Sequence, residues 1–189
     1  MGWIVSRMNS MKQSCANVIL IGYMASGKTT VGKALSKLSG WKFVDCDELI
    51  AQQEGMSCRD ILQVKGETYF RQVERQVLQS IVATPPMIIA TGGGMPCYQD
   101  NMQLINKLGV TYFLHRTPED LALRLELTDL MSRPLLQGRI GEELIEYVTH
   151  QLALRQPYYC MAQHTIYAHG DDDEYVAQEI YRQLRSTFL

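Results

Sequence analysis

Residues 22–29 place two glycines, a lysine and a threonine at the spacing that binds nucleotide phosphates. The segment reads Gly-Tyr-Met-Ala-Ser-Gly-Lys-Thr and matches the pattern G-x-x-x-x-G-K-[ST] of a P-loop. In such a loop the backbone N–H groups surround the phosphates, and the following helix N-terminus adds partial positive charge. The lysine contacts the β- and γ-phosphates, and the threonine hydroxyl ligates Mg²⁺. The residues expected to bind nucleotide are Met24, Ala25, Ser26, Gly27, Lys28, Thr29 and Thr30.

A P-loop requires a strand before it and a helix after it. Residues 17–22 form an apolar run rich in β-branched side chains, which predicts a buried strand. Residues 30–38 are apolar at positions i, i+3, i+4 and i+7, the pattern of an amphipathic helix. These flanks favour a P-loop over the alternative of a flexible glycine-containing loop. Ala25 stands where many small-molecule kinases have a further glycine, so the backbone there must accommodate a Cβ.

Two carboxylates follow the second predicted strand, residues 41–45. Asp45 and Asp47 stand two positions apart at its carboxyl end, where ligands gather in open α/β sheets. Asp47 could instead simply cap the next predicted helix, residues 48–54. Capping alone leaves Asp45 unexplained, so we interpret the two as a functional pair.

Two further segments carry polar residues or glycines for which the local pattern allows more than one role. Residues 56–82 are predicted to be helical with a break at Gly66, and Arg71 and Glu74 share one face at i, i+3. Periodicity alone would make them a solvated surface pair. The third predicted strand, residues 87–90, opens into Thr91 and three glycines. These glycines are either turn residues or a place where a ligand approaches bare backbone.

The remaining pattern completes an α/β fold. Strands are predicted at residues 110–114 and 164–167, with helices between them and at the C-terminus. The helix before the last strand is predicted over residues 142–156 and to end before Pro157. Strands alternating with helices around a P-loop predict a three-layer α/β/α domain with a five-stranded parallel sheet. Periodicity fails from about 128 to 141, a glycine-bounded polar stretch that suits a mobile lid and carries Arg133.

Composition limits the other possibilities. With 189 residues, 46% hydrophobic, the chain suits one domain, predicted over residues 17–189 after a disordered arm at 1–16. A net charge of −2 gives no electrostatic case for nucleic acid or a membrane surface. Five scattered cysteines favour reduced cytoplasmic thiols over disulfides or a zinc site. The acidic run 171–174 is interpreted as the N-terminus of a helix rather than a metal site.

Together these motifs resemble the shikimate kinase family, P-loop kinases of the nucleoside-monophosphate-kinase fold. The resemblance extends from about residue 18 to residue 184, and no single motif after the P-loop is specific. The motifs that carry it, in order, are the P-loop, Asp45-x-Asp47, Phe70-Arg71-x-x-Glu74, Thr91-Gly92-Gly93-Gly94, Arg133-Pro134-Leu135-Leu136 and Arg155-x-Pro157-x-Tyr159.

The resemblance implies an acceptor site for shikimate, a carboxylate with three hydroxyls. Arg71 and Arg155 would clamp the carboxylate with paired donors, and Glu74 would orient Arg71. Gly93 and Gly94 would bring backbone amides to the same ligand. Asp47 would hold the ring hydroxyl that is phosphorylated.

The resemblance also implies a donor site for MgATP. Asp45 and Thr29 would hold Mg²⁺, the aspartate through water. Lys28 and Arg133 would neutralise charge on the transferring phosphoryl group. Arg124 resembles the arginine that stacks on adenine in relatives, with an exposed helix arginine as the alternative. The expected reaction gives shikimate 3-phosphate, in a monomeric enzyme.

Other classes fit less well. A gluconate or nucleoside-monophosphate kinase would share the fold but lack the Phe-Arg-x-x-Glu signature and the triple glycine. A GTPase would need Asn-Lys-x-Asp, and residues 106–109 lack the aspartate. A P-loop module that only binds nucleotide would need neither Asp47 nor a second arginine site.

Overall fold

The computed structural model describes residues 17–81, 86–127, 136, 138–170 and 172–188, with side chains through residue 186. The arm predicted at 1–16 and most of the predicted lid, including Arg133, lie outside the described residues.

Five strands form one parallel sheet in the order β2-β3-β1-β4-β5. The predicted five-stranded parallel sheet is therefore confirmed, with the strand before the P-loop at its centre. The strands are β1 (Asn17–Ile21), β2 (Lys42–Asp45), β3 (Met87–Ala90), β4 (Gly109–His115) and β5 (His164–Tyr167).

Helices connect the strands, and the described part of the chain contains seven of them. A short 3₁₀ turn, Met95–Cys97, follows the triple glycine. The helices are α1 (Lys28–Ser39), α2 (Cys46–Glu54), α3 (Cys58–Ser80), α4 (Asn101–Leu108), α5 (Pro118–Glu126), α6 (Gly141–Tyr159) and α7 (Asp173–Phe188).

Two helices test where the sequence predicts a helix break and a helix end. The break predicted at Gly66 is present, since its φ of 82° and ψ of 168° are not helical. The predicted end of α6 at Gln156, before Pro157, is wrong, because the helix continues to Tyr159. Proline removes one helical hydrogen bond, and burial of the Tyr159 ring in the core offsets that loss.

The core forms two layers, one on each face of the sheet. Side chains of β1 alternate between them: Val18 and Leu20 pack against α1 and α7, and Ile19 and Ile21 face the layer built by α2 to α6. This confirms the predicted α/β/α arrangement. No helix in the described ranges is long and apolar enough to cross a bilayer.

The register of β1 against β4 begins where Gly109 lies opposite Asn17. The buried Asn17 amide also donates to the Leu108 carbonyl at 3.1 Å and accepts from the Met87 N–H at 2.9 Å. A Cβ at position 109 would overlap the Asn17 backbone carbonyl. The start of the P-loop strand is thus fixed by a contact that only glycine permits.

We expect Gly109→Ala to lower the free energy of unfolding by about 1–3 kcal/mol, because the added methyl must push β1 and β4 apart. Urea denaturation measures the change. Lys107→Ala, at an exposed position two residues earlier, is the control and should change stability little. Equal stability of Gly109→Ala and wild type would show that the strands can separate without cost.

Candidate active site

The carboxyl ends of the strands lie along one edge of the sheet, and the predicted site residues follow them. The P-loop follows β1, Asp45 ends β2, and Thr91 with three glycines follows β3. Arg116, which the sequence analysis did not single out, follows β4. This edge is where ligands bind in open α/β sheets.

The P-loop backbone is tightly turned. Ser26 N–H donates to the Tyr23 carbonyl at 3.2 Å, and α1 begins with a bond from Val31 N–H to the Gly27 carbonyl at 2.8 Å. Ala25 has a φ of 61°, in the left-handed region. Ala25 therefore adopts a backbone conformation that costs about 1 kcal/mol or more for any residue other than glycine.

Lys28 binds the carbonyls of the loop that it follows. Its Nζ donates to the Gly22 carbonyl at 2.9 Å and to the Tyr23 carbonyl at 2.8 Å. The ammonium group thus lies inside the loop, where a nucleotide phosphate would meet it.

Two arginines bind the outer side of the same loop. Arg124 Nε donates to the Ala25 carbonyl at 2.9 Å, and Arg116 Nε donates to the Ser26 carbonyl at 3.1 Å. Both also form ion pairs with the Asp173 carboxylate, Arg124 at 2.7 Å and Arg116 at 2.6 Å. The Arg124 side chain is only 18% exposed, so the alternative of an exposed helix arginine is wrong. Sequence reasoning placed Asp173 correctly at a helix start but gave no sign of its two partners.

Asp45 and Thr29 meet at the mouth of the P-loop. Thr29 Oγ1 donates to Asp45 Oδ2 at 2.8 Å. Asp45 Oδ1 accepts from Asp47 N–H at 3.0 Å, so Asp45 caps α2, and the alternative that gave Asp47 this role is wrong.

These oxygens suit Mg²⁺, a hard cation that takes few protein ligands and keeps several waters. Within the described residues no group of three or more His, Cys, Asp or Glu side chains could form an all-protein cage. The hydroxyl–carboxylate pair, completed by water and phosphate oxygens, therefore fits the ion.

Arg71 lies between two glutamates on α3. Its Nη1 donates to Glu74 Oε2 at 2.7 Å, and its Nε and Nη2 donate to Glu67 Oε1 at 3.3 and 3.0 Å. A Cβ on Gly94 would clash with the guanidinium group, so the triple glycine lets Arg71 lie against the chain. The pair with Glu74 is not the solvated surface pair that periodicity suggested.

Glu74 is buried, with 1% of its side chain exposed. Its Oε1 has no hydrogen-bond partner within the part of the chain that the structure describes. The space where a Gly92 Cβ would stand lies 2.9 Å from this oxygen and 2.8 Å from Asp47 Oδ1, so the two carboxylates converge there. Burial raises the pKa of Glu74 to about 7; Arg71 opposes the shift and Asp47 adds to it.

The acceptor side is joined to the P-loop by two tyrosines. The Arg155 guanidinium lies 5.0 Å from the centre of the Tyr23 ring, and the Tyr159 hydroxyl donates to the Gly93 carbonyl at 2.6 Å. A Cβ on Gly93 would lie 3.3 Å from the Met24 nitrogen. The triple glycine thus packs directly on the phosphate-binding loop.

Few of the predicted lid residues belong to the described structure. Leu136 is fully buried in the main core. The Arg139 guanidinium stands 4.6 Å from the Tyr147 ring centre and donates to the Leu136 carbonyl at 3.2 Å. This end of the predicted lid is therefore attached to α6, whereas the role of Arg133 remains a prediction.

The assembled groups define a chemistry. Gly93 packs on the P-loop backbone, the Arg71 guanidinium lies against Gly94, and the Arg155 guanidinium lies beside the Tyr23 ring. The Asp47 carboxylate lies beside Gly92, the residue that precedes Gly93. This arrangement can hold a nucleotide against a small anionic acceptor and transfer a phosphoryl group between them.

Comparison with known sequences points to one family. The family profile described as "Shikimate kinase" matches residues 24–185. The shikimate kinase of Parabacteroides distasonis is 43% identical over 145 residues, covering 77% of this chain and 83% of that protein. The shikimate kinase of Bacteroides thetaiotaomicron is 34% identical over 168 residues, covering 89% of this chain and 95% of its own.

Solved structures agree. The shikimate kinase of Acinetobacter baumannii, in complex with shikimate, superposes with a TM-score of 0.82 at 31% identity, over 94% of this chain and 97% of that chain. The crystal structure of the Bacteroides thetaiotaomicron enzyme also superposes with a TM-score of 0.82, at 33% identity, over 90% of this chain and 97% of that chain. The fold is therefore that of these P-loop kinases.

The raised pKa of Glu74 predicts a pH-dependent stability. Because the native state holds its proton more tightly than the unfolded state, this stabilising contribution is complete below about pH 4.5 and is lost as pH rises through about 7. Glu74→Gln keeps a neutral side chain and removes the effect. We expect the stability of this variant relative to wild type to increase between about pH 5 and 8, by up to about 3 kcal/mol.

Urea unfolding at a series of pH values tests this expectation. Glu67→Gln, which removes the exposed partner of the same arginine, is the control and should follow wild type. Parallel stability profiles for wild type and Glu74→Gln would contradict the assignment of the proton to Glu74.

Proposed function

The chain belongs to the shikimate kinase family, and on that premise we propose how its residues transfer the γ-phosphoryl group of ATP to the 3-hydroxyl of shikimate. The reaction gives shikimate 3-phosphate and ADP in aromatic amino-acid biosynthesis. The observation that carries the proposal is the contact of Gly93 with the P-loop backbone, beside the carboxylate-binding arginines.

Arg71 and Arg155 bind the shikimate carboxylate. The Nη1 edge of Arg71 is held by the buried Glu74, which fixes the guanidinium plane. Its Nε and Nη2 edge contacts Glu67, whose side chain is 72% exposed. An exposed carboxylate is displaced at little cost, so the substrate carboxylate takes this edge in its place.

Asp47 holds the hydroxyl that is phosphorylated. Its Oδ1 lies beside Gly92, and Gly93 and Gly94 continue the backbone along the same ligand. The transition state of phosphoryl transfer is loose, so positioning the hydroxyl matters more than removing its proton early.

On the donor side the P-loop, from Met24 to Thr30, binds the phosphates of ATP. Lys28 exchanges its contacts with the loop carbonyls for contacts with phosphate oxygens. Thr29 and Asp45 hold Mg²⁺, which would supply positive charge to the phosphates. Arg133, assigned from the family resemblance, neutralises charge on the transferring group, and Arg124 lies beside the adenine.

We also propose that the enzyme acts as a monomer in the cytoplasm. The four cysteines of the described residues are free thiols, as in a reducing compartment.

Arg71→Lys and Arg155→Lys should each weaken shikimate binding about tenfold or more and leave MgATP binding nearly unchanged. A point charge cannot donate the paired hydrogen bonds of a guanidinium, a loss of about 1.5–3 kcal/mol. Calorimetric titration with shikimate and with MgATP measures both affinities. Arg182→Lys, at an exposed site on α7, is the control. Unchanged shikimate affinity in both active-site variants would refute the clamp.

Substitution of Asp47 should impair the use of shikimate, whereas substitution of Asp45 should impair the use of MgATP. Asp47→Asn should lower kcat/KM for shikimate by a factor on the order of 10² or greater and keep MgATP binding. Asp45→Asn should raise the Mg²⁺ requirement and impair nucleotide use, with shikimate still bound. An ADP-coupled assay, run also with gluconate and nucleoside monophosphates as acceptors, measures activity.

Calorimetric titration of the aspartate variants, together with this assay, can overturn the assignment. If Asp47→Asn loses nucleotide binding and keeps shikimate binding, the two roles are reversed. If wild type phosphorylates gluconate or a nucleotide in preference to shikimate, the acceptor assignment itself is wrong.

A further inference from the structure

A buried ion-pair cluster contacts the P-loop at the carbonyls of Ala25 and Ser26. It consists of Arg116 after β4, Arg124 on α5 and Asp173 at the start of α7. Arg116 Nη2 donates to Asp173 Oδ1 at 2.6 Å, and Arg124 Nη2 donates to Asp173 Oδ2 at 2.7 Å. One carboxylate thus joins two arginines that come from different elements.

Each arginine uses its remaining edges to bind backbone. Besides their bonds to the P-loop carbonyls of Ser26 and Ala25, both donate to the Gly170 carbonyl, Arg116 at 2.6 Å and Arg124 at 3.0 Å. The P-loop is therefore tied to the segment between β5 and α7. Asp173 itself packs against the P-loop, since a Cβ on Gly27 would clash with its carboxylate.

The burial of these groups makes the carboxylate necessary. The Arg116 side chain is 0% exposed and that of Asp173 is 9% exposed. A buried guanidinium without a counter-charge is strongly destabilised, and two neighbouring cations repel each other. The Asp173 carboxylate supplies the counter-charge for both arginines.

The consequence for the P-loop follows from peptide geometry. In a trans peptide the C=O and the next N–H point in opposite directions. When Arg116 holds the Ser26 carbonyl outward, the N–H of Gly27 is turned away from the arginine, into the concave side of the loop where phosphate binds.

We propose that Asp173 is a positioning residue for phosphate binding: through Arg116 and Arg124 it holds the Ser26 and Ala25 carbonyls outward and so fixes the P-loop for the nucleotide. The proposal deepens the function given above and rests on it. The residue touches no substrate and acts only through its partners.

The competing role is the ordinary one for an acidic residue at a helix N-terminus, stabilisation of α7. Glu174 stands in the same first turn and is exposed. It shares the helix-terminal effect but not the contacts with the arginines. Glu174→Gln is therefore the matched control for Asp173→Asn.

Calorimetric titration of the full-length variants with ADP, tripolyphosphate and shikimate tests the proposal. For Asp173→Asn we expect ADP and tripolyphosphate to bind about tenfold or more weaker, since a charge-assisted contact that orients the loop is lost, while shikimate binds as in wild type. Glu174→Gln should bind all three normally. Hydrogen exchange should be faster in Asp173→Asn at the P-loop amides and unchanged in β1 and β4.

Other outcomes overturn it. Unchanged ADP binding by Asp173→Asn, or an equal loss of ADP and shikimate, would leave only a structural role. Loss of ADP with normal tripolyphosphate binding would mean that the cluster acts on the base and not on the phosphate loop. If Asp173→Asn does not fold, Arg116→Lys carries the same test, because lysine keeps the charge but cannot bind Ser26, Gly170 and Asp173 together.

The controls separate this proposal from the function it rests on. Failure of wild type to bind ADP would contradict the proposed function itself. Normal wild-type binding with an unaffected Asp173→Asn would contradict only the role of Asp173.

Discussion

A loop that turns its N–H groups toward a phosphate must turn carbonyl groups the other way, and those carbonyls need donors. For the Ala25 and Ser26 carbonyls, the donors in the described structure are cationic side chains. Arg124 binds the carbonyl of Ala25, and Arg116 binds that of Ser26. Cations satisfy the carbonyls and also raise the positive potential that an anionic ligand meets. The left-handed backbone of Ala25 is one local cost of this arrangement.

The acceptor side depends on the same loop. Gly93 contacts the P-loop backbone, and the Tyr159 hydroxyl holds the Gly93 carbonyl from α6. The Tyr23 ring, part of the P-loop, lies beside the Arg155 guanidinium. A displacement of the loop would therefore move the groups proposed to bind the acceptor, which is useful where two substrates must meet within a short distance.

Sequence reasoning reached those residues whose function follows from local pattern. The P-loop is a contiguous motif, and Asp45 with Asp47 stand at a strand end, where a general rule places ligands. Arg71 and Glu74 were reached only by family resemblance, because helical periodicity cannot distinguish a buried ion pair from a surface one. Asp173 was assigned to a helix start alone, since its partners are 57 and 49 residues away. Arg116 follows β4, so the strand-end rule could have found it.

The carboxylates of Glu74 and Asp47 converge near Gly92. Their environments, rather than their residue types, give them different roles in this cleft. Glu74 is buried, and its raised pKa means that it holds a proton near neutral pH for part of the time. A neutral Glu74 repels neither Asp47 nor an arriving substrate carboxylate, and it still accepts a hydrogen bond from Arg71. In the binding mode proposed above, the substrate carboxylate would offset the positive charge of Arg71 and Arg155, which otherwise favours ionised Glu74. A bound state of this kind would hold the Glu74 proton more firmly than the free state, and acceptor binding would then be coupled to proton uptake.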